Sequence, residues 1–106
     1  MSHTERIRAL NDQCRTTLSG CKVMVTQGVV ALDRTDSVLQ AVREFSNFSA
    51  DNDPYGEHDF GSITVAGRQL FWKFDYYDSD LQMASLDPAD NTITIRVLTI
   101  MLADEY

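Results

Sequence analysis

Phe60-Gly61-Ser62-Ile63-Thr64-Val65-Ala66-Gly67-Arg68-Gln69-Leu70-Phe71-Trp72-Lys73-Phe74-Asp75-Tyr76-Tyr77 is the stretch on which the fold turns. Ile63 and Val65 alternate with Ser62 and Thr64, and Leu70, Trp72, Phe74 and Tyr76 alternate with Phe71, Lys73, Asp75 and Tyr77. Such a two-residue period marks strands with two unlike faces. Between them lies Ala66-Gly67-Arg68-Gln69, where Gly67 supplies the positive φ that a tight hairpin needs. The pattern predicts a β-hairpin over about residues 60–76, with Trp72 and Phe74 packed under helices. Truncating either aromatic to Ala is expected to cost roughly 3–5 kcal/mol.

Upstream of the hairpin the chain is crowded with polar groups: Asp51-Asn52-Asp53-Pro54-Tyr55-Gly56-Glu57-His58-Asp59. Pro54 removes a backbone donor and biases Asp53 toward extended geometry, so residues 51–57 are read as a loop. Before it, Val38, Leu39, Val42 and Phe45 share one face of a helix over about 36–46, capped by Thr35 or Asp36. Cys21–Thr26 reads as a strand with Val23 and Val25 opposite Met24, and Val29–Leu32 is left unassigned. At the N-terminus Ser2 and Glu5 have capping-box spacing, with Thr4 as a competing cap. Ile7, Leu10, Cys14 and Leu18 then make an apolar stripe along a helix of about 4–18, with Gly20 as its stop.

Downstream, two signals conflict. Asp87-Pro88-Ala89-Asp90 is a helix start, with Asp as cap and Pro at the first helical position. Thr92-Ile93-Thr94-Ile95-Arg96-Val97 alternates and is β-branched, which favours a strand. The start signal, with Leu98, Met101 and Leu102 continuing a helical stripe, predicts a helix over about 88–103. The expected fold class is therefore α+β: a small antiparallel sheet centred on the hairpin, with helices at about 4–18, 36–46 and 88–103 packed on one face. The 106 residues fit a single domain, 1–106, with no repeat or linker.

Charge narrows the function classes. Residues 1–50 hold six Lys/Arg and five Asp/Glu, a net of +1, whereas residues 51–106 hold three and eleven, a net of −8, which together give −7. No basic stripe is present, so direct nucleic-acid binding is not expected. The acidic half repels phosphates and anionic lipid and attracts basic proteins or cations. No apolar run is long enough to span a membrane, and Met1-Ser2-His3-Thr4-Glu5-Arg6 has no apolar export segment, so a cytoplasmic protein is expected. In that compartment Cys14 and Cys21 are read as small core residues rather than a disulfide.

The polar loop invites comparison with known chemistry. Asp51-x-Asp53-x-x-Gly56 begins like a calcium loop, but Tyr55 stands at its fifth position and Ser62 at its twelfth, where acids are required. Glu57-His58-Asp59 is the candidate catalytic group, because a histidine between carboxylates can serve as an oriented base. If the two hairpin strands bring their ends together, His58, Asp59, Asp75 and Asp78 could hold a divalent cation through mixed N and O ligands. The alternative for His58 is a hydrogen-bonded loop anchor. No HExxH, nucleophile elbow or Gly-rich phosphate loop occurs, and no cofactor beyond such a cation is expected. Asp53, Tyr55, Asp75, Tyr76, Tyr77, Asp78 and Asp80 form the candidate binding surface, since aromatic side chains are enriched at interface cores.

The 51–61 segment, together with Phe71-Trp72-Lys73-Phe74-Asp75-Tyr76-Tyr77-Asp78, Asp87-Pro88-Ala89-Asp90 and the closing Leu98–Tyr106, resembles the small bacterial family called domain of unknown function 3768. The resemblance runs from about Ile7 to Tyr106. It carries no catalytic role. It implies a setting on plasmids and other mobile elements, a helical C-terminus, and a signature in the 51–61 loop and the hairpin end. The function expected is a small acidic protein-interaction or regulatory module. It would bind another, basic protein, as an anti-defence protein imitating DNA phosphates would. The rival is a metal-dependent hydrolase or nuclease built on the 51–59 loop and the hairpin end.

Overall fold

The hairpin forms as its alternation predicts. The computed structural model describes residues Met1–Tyr106, and in it β2 (Phe60–Val65) and β3 (Arg68–Tyr77) pair antiparallel with Val65 opposite Arg68. Ala66 and Gly67 both take positive φ, 53° and 75°, the conformation that matches a two-residue turn to the twist of its strands. Gly61 lies opposite Trp72, and the indole fills the space where a Cβ would stand. Only glycine fits there.

The C-terminal segment differs from the sequence expectation. No helix spans 88–103: Ile95–Leu102 is a strand, β4, paired antiparallel with β3 and parallel with β1 (Lys22–Val25). Asp87 and Asp90 cap turns instead, accepting N–H bonds from Ala89 and Thr92 respectively. Asp and Pro initiate turns as readily as helices. The β-branched alternation was the better guide here. Leu98 and Leu102 face the helices while Met101 faces the other side, so the apparent helical stripe is a coincidence of spacing. As an inner strand buried along most of both faces, β4 has the near-continuous apolar run that such strands require. The sheet order is β1-β4-β3-β2, and the parallel β1–β4 pair makes it mixed rather than purely antiparallel.

Three helices cover one face. In α1 (His3–Thr17) the capping box of Ser2 and Glu5 is present, and Leu18, in left-handed conformation, ends the helix two residues before Gly20. The unassigned apolar run belongs to a short helix, α2 (Gln27–Ala31). Next comes α3 (Thr35–Glu44), where neither Thr35 nor Asp36 caps: the cap position is Arg34, without a side-chain bond, and extended Phe45 stops the helix. Val29, Val38 and Val42 from these helices meet Leu70, Trp72, Phe74, Leu98, Ile100 and Leu102 from the sheet in one core. Cys14 and Cys21 form a disulfide that ties the end of α1 to the start of β1, which corrects their reading as separate core residues. After β4, a 3₁₀ turn, Ala103–Glu105, closes the chain.

Candidate functional site

The residues richest in chemistry meet where α1 crosses the 51–59 loop. Four polar residues of α1 (Arg8, Asn11, Asp12 and Arg15) line up at helical spacing and face inward, with Asn11 and Arg15 buried. Arg8 Nε donates to the Gly56 carbonyl at 2.6 Å, and Asn11 Nδ2 donates to the Glu57 carbonyl at 3.0 Å. Arg15 donates to the carbonyls of Val42 and Phe45, 2.9 and 2.7 Å away, and so caps the C-terminus of α3. Its guanidinium also lies over the rings of Phe48 and Trp72.

His58 is the hub. Its φ is +54°, a conformation held by two contacts: the backbone N–H donates to Asp53 Oδ1 at 3.1 Å, and the ring stacks on Phe48 at 3.6 Å between centroids. Nδ1 lies 2.9 Å from Asp12 Oδ1, and Nε2 lies 3.7 Å from Asp53 Oδ2. Each ring nitrogen thus faces a carboxylate and one ring face is covered. Nδ1 is engaged by Asp12, whereas Nε2 lies beyond hydrogen-bond distance of Asp53. These contacts tie the 51–59 loop to α1 and to Phe48.

The neighbours of His58 bond to other parts of the fold. The Glu57 carboxylate accepts from the Tyr76 hydroxyl at 3.1 Å, and Asn11 donates to that hydroxyl at 2.8 Å. Arg96, almost fully buried, donates from Nε to Asn11 Oδ1 at 2.6 Å, and its other nitrogens donate to Asn91 and to the Pro88 carbonyl. Burial pushes the Tyr76 hydroxyl and the Asp59 carboxyl up from their ordinary pKa values, and pulls Arg96 down. A low-dielectric polar network of this kind holds a fold in register when every member is paired.

Asp75 and Asp78 do not converge on His58. Odd-numbered residues of β3 face away from the helices, so Asp75 sits on the other side of the sheet and pairs with Lys73 at 2.8 Å. Asp78 accepts the backbone N–H of Gln82 at 3.1 Å and shapes the turn after β3. No three His, Cys, Asp or Glu side chains anywhere are grouped so as to hold a metal ion. The candidate cation set of His58, Asp59, Asp75 and Asp78 is therefore split between two faces and a turn.

The candidate binding surface divides as well. Asp53 is buried under His58 and Tyr76 belongs to the internal network, so neither is available to a partner. Tyr55 stands in solvent on the loop. Asp75 and Tyr77 lie on the face without helices, and the loop that follows carries Asp78 and Asp80. In this loop sequence reasoning missed three apolar residues: Leu81, Met83 and Leu86 are 47%, 71% and 96% exposed. Their signal was a lack of periodicity, since no face of a strand or helix would bury them.

The Glu105 carboxylate was missed too. It accepts from Thr26 Oγ1 at 2.6 Å, from the Leu102 N–H at 2.8 Å and from the Gly28 N–H at 3.2 Å, joining the chain's end to the start of α2. The bond from Thr26, more than any other cause, holds its pKa below the usual glutamate value. A long-range contact of this kind leaves no local trace.

No helix is long and apolar enough to cross a membrane. No curated protein and no solved structure matches the chain. Residues 25–105, from β1 through the hairpin to the closing turn, match the family described as Protein of unknown function (DUF3768), and the chain belongs to that family.

Proposed function

We propose that the chain is a protein-interaction module, and that its docking surface is the outer end of β3 with the loop that follows, residues 75–86. One observation carries this reading: Leu81, Met83 and Leu86 stand in solvent among Asp75, Asp78 and Asp80. Exposed large apolar side chains on one short segment that also carries carboxylates suit a binding surface, because leaving them in water is unfavourable. The carboxylates set the sign of the partner. A basic protein is attracted at long range and then covers the apolar side chains.

The family resemblance adds a setting for this role. On a mobile element, an acidic module could occupy the nucleic-acid groove of a host defence protein, its carboxylates standing in for phosphates. Of the charged side chains after residue 50, Arg96 and Asp53 are both buried, so their charges cancel and the outward charge of this half stays at its sequence sum of −8.

The test is affinity capture from a lysate of the source cell, with the immobilised chain eluted in a salt gradient. The intact chain should retain a basic protein that duplex DNA displaces. Retention should be lost in D75N/D78N/D80N and in M83S/L86S, and kept in the distant control E44Q. Retention that survives in both multiple variants would mean that this surface is the wrong one.

A further inference from the structure

The sheet ends on an unprotected strand. β2 is an outer strand, and no backbone or side-chain hydrogen bond within the chain reaches its far edge. The two-residue turn makes Val65–Arg68 a hydrogen-bonded pair, so Ile63 and Gly61 also direct their backbone groups toward β3. The bond from Phe74 N–H to Asp59 O continues that alternation. Phe60, Ser62 and Thr64 consequently point their N–H and C=O groups outward, with nothing to receive them.

Natural outer strands are guarded against pairing by lysines, prolines, bulges or shortness. The opposite outer strand, β1, is four residues long and carries Lys22. β2 has none of these guards: it is six residues long, and residues 60–67 contain no charged side chain and no proline. This lies in a half of the chain that carries a net −8, three basic against eleven acidic residues. Copies of so acidic a protein repel each other almost everywhere else on this half.

We propose that β2 pairs antiparallel with β2 of a second copy, across a two-fold axis at Ser62, so that two four-stranded sheets become one. This register sets Ser62 opposite Ser62 and Phe60 opposite Thr64, and it uses all the outward-pointing residues of both strands. Opposite residues in antiparallel strands share a face, so the helices of both copies stay on one side. Ser62 and Thr64, both exposed, then form polar and aromatic cross-strand pairs with the partner. An unrelated extended peptide could satisfy the main-chain groups, but a second copy supplies the same uncharged strand in a register that leaves none of them over.

Sedimentation equilibrium of the intact chain, at about 10 μM and about 1 mM, tests the pairing. The expected mass at the higher concentration is twice the 12.0 kDa of one chain. S62P removes an N–H that no contact within the chain uses and blocks the edge, and T64K places a charge there. Both should sediment as single chains with an unchanged circular dichroism spectrum. T64K keeps every backbone donor, so it remains informative if the proline variant does not fold. A single-chain mass for the unmodified protein at both concentrations overturns the proposal. So does a doubled mass that persists in folded T64K.

Discussion

Two acidic, proline-containing loops flank the hairpin, and they use their side chains in opposite ways. The 51–59 loop turns its chemistry inward: Asp53, Glu57 and His58 bond to the loop, to α1 or to Tyr76. The segment after β3 caps its own turns with Asp78, Asp87 and Asp90 and leaves Leu81, Met83 and Leu86 in water. The difference teaches that a histidine among carboxylates can spend one nitrogen and a ring face on contacts within the fold. The plainer segment is the one with surface to offer.

If the first loop is a clamp, its removal must cost stability. N11A deletes the residue that joins Glu57, Tyr76 and buried Arg96, and leaves the Arg96 Nε unpaired. Urea denaturation should show a loss of about 1.5–3 kcal/mol, the range for losing a hydrogen bond to a charged group. Reducing the Cys14–Cys21 bond frees the helix that carries the clamp from β1; the residues are seven apart, and closing so short a loop is worth about 2.5 kcal/mol. A reductant should lower the urea midpoint accordingly while leaving the far-UV spectrum native.

Asp59 sharpens the comparison through pH. Burial raises its pKa above the ordinary 3.8, so the folded state holds this proton more tightly than the unfolded chain. Stability therefore falls as pH rises through the window just above 3.8, and the loss persists at neutral pH. D59N should be more stable than the parent at pH 7, and the gain should shrink in melts taken at successively lower pH. The smallest effect belongs to the second loop: M83S/L86S should change stability by no more than about 0.5 kcal/mol, as exposed positions do. A larger loss would mean that those side chains pack somewhere and are not free to bind.

Local chemistry made part of this legible. The capping box of Ser2 and Glu5, the alternation around Trp72 and the turn at Gly67 each predict what forms, because each depends on neighbours in sequence. β4 was misread because Asp87-Pro88-Ala89-Asp90 satisfies the rules for helix starts and for turns alike, and only the flanking strands decide between them. The partner of His58 was hidden because Asp12 is 46 residues away. A trace of it was present: Arg8, Asn11, Asp12 and Arg15 form a second stripe at helical spacing, and a polar stripe beside an apolar one signals that the helix buries bonds as well as carbon. The Cys14–Cys21 bond was set aside on compartment alone, although the two cysteines are close in sequence.

The direct test of the clamp is the melting midpoint of H58A against the parent, first in EDTA and then with Ca²⁺, Mg²⁺, Mn²⁺ and Zn²⁺ in turn. Loss of the stacked ring and its charge-assisted bond should cost about 2 kcal/mol, which lowers the midpoint by roughly 8–16 °C in a domain of this size. That drop should be the same with and without each cation. An H58A variant that melts with the parent in EDTA, and differs only because one cation raises the parent, would contradict the clamp and restore the loop as a metal site.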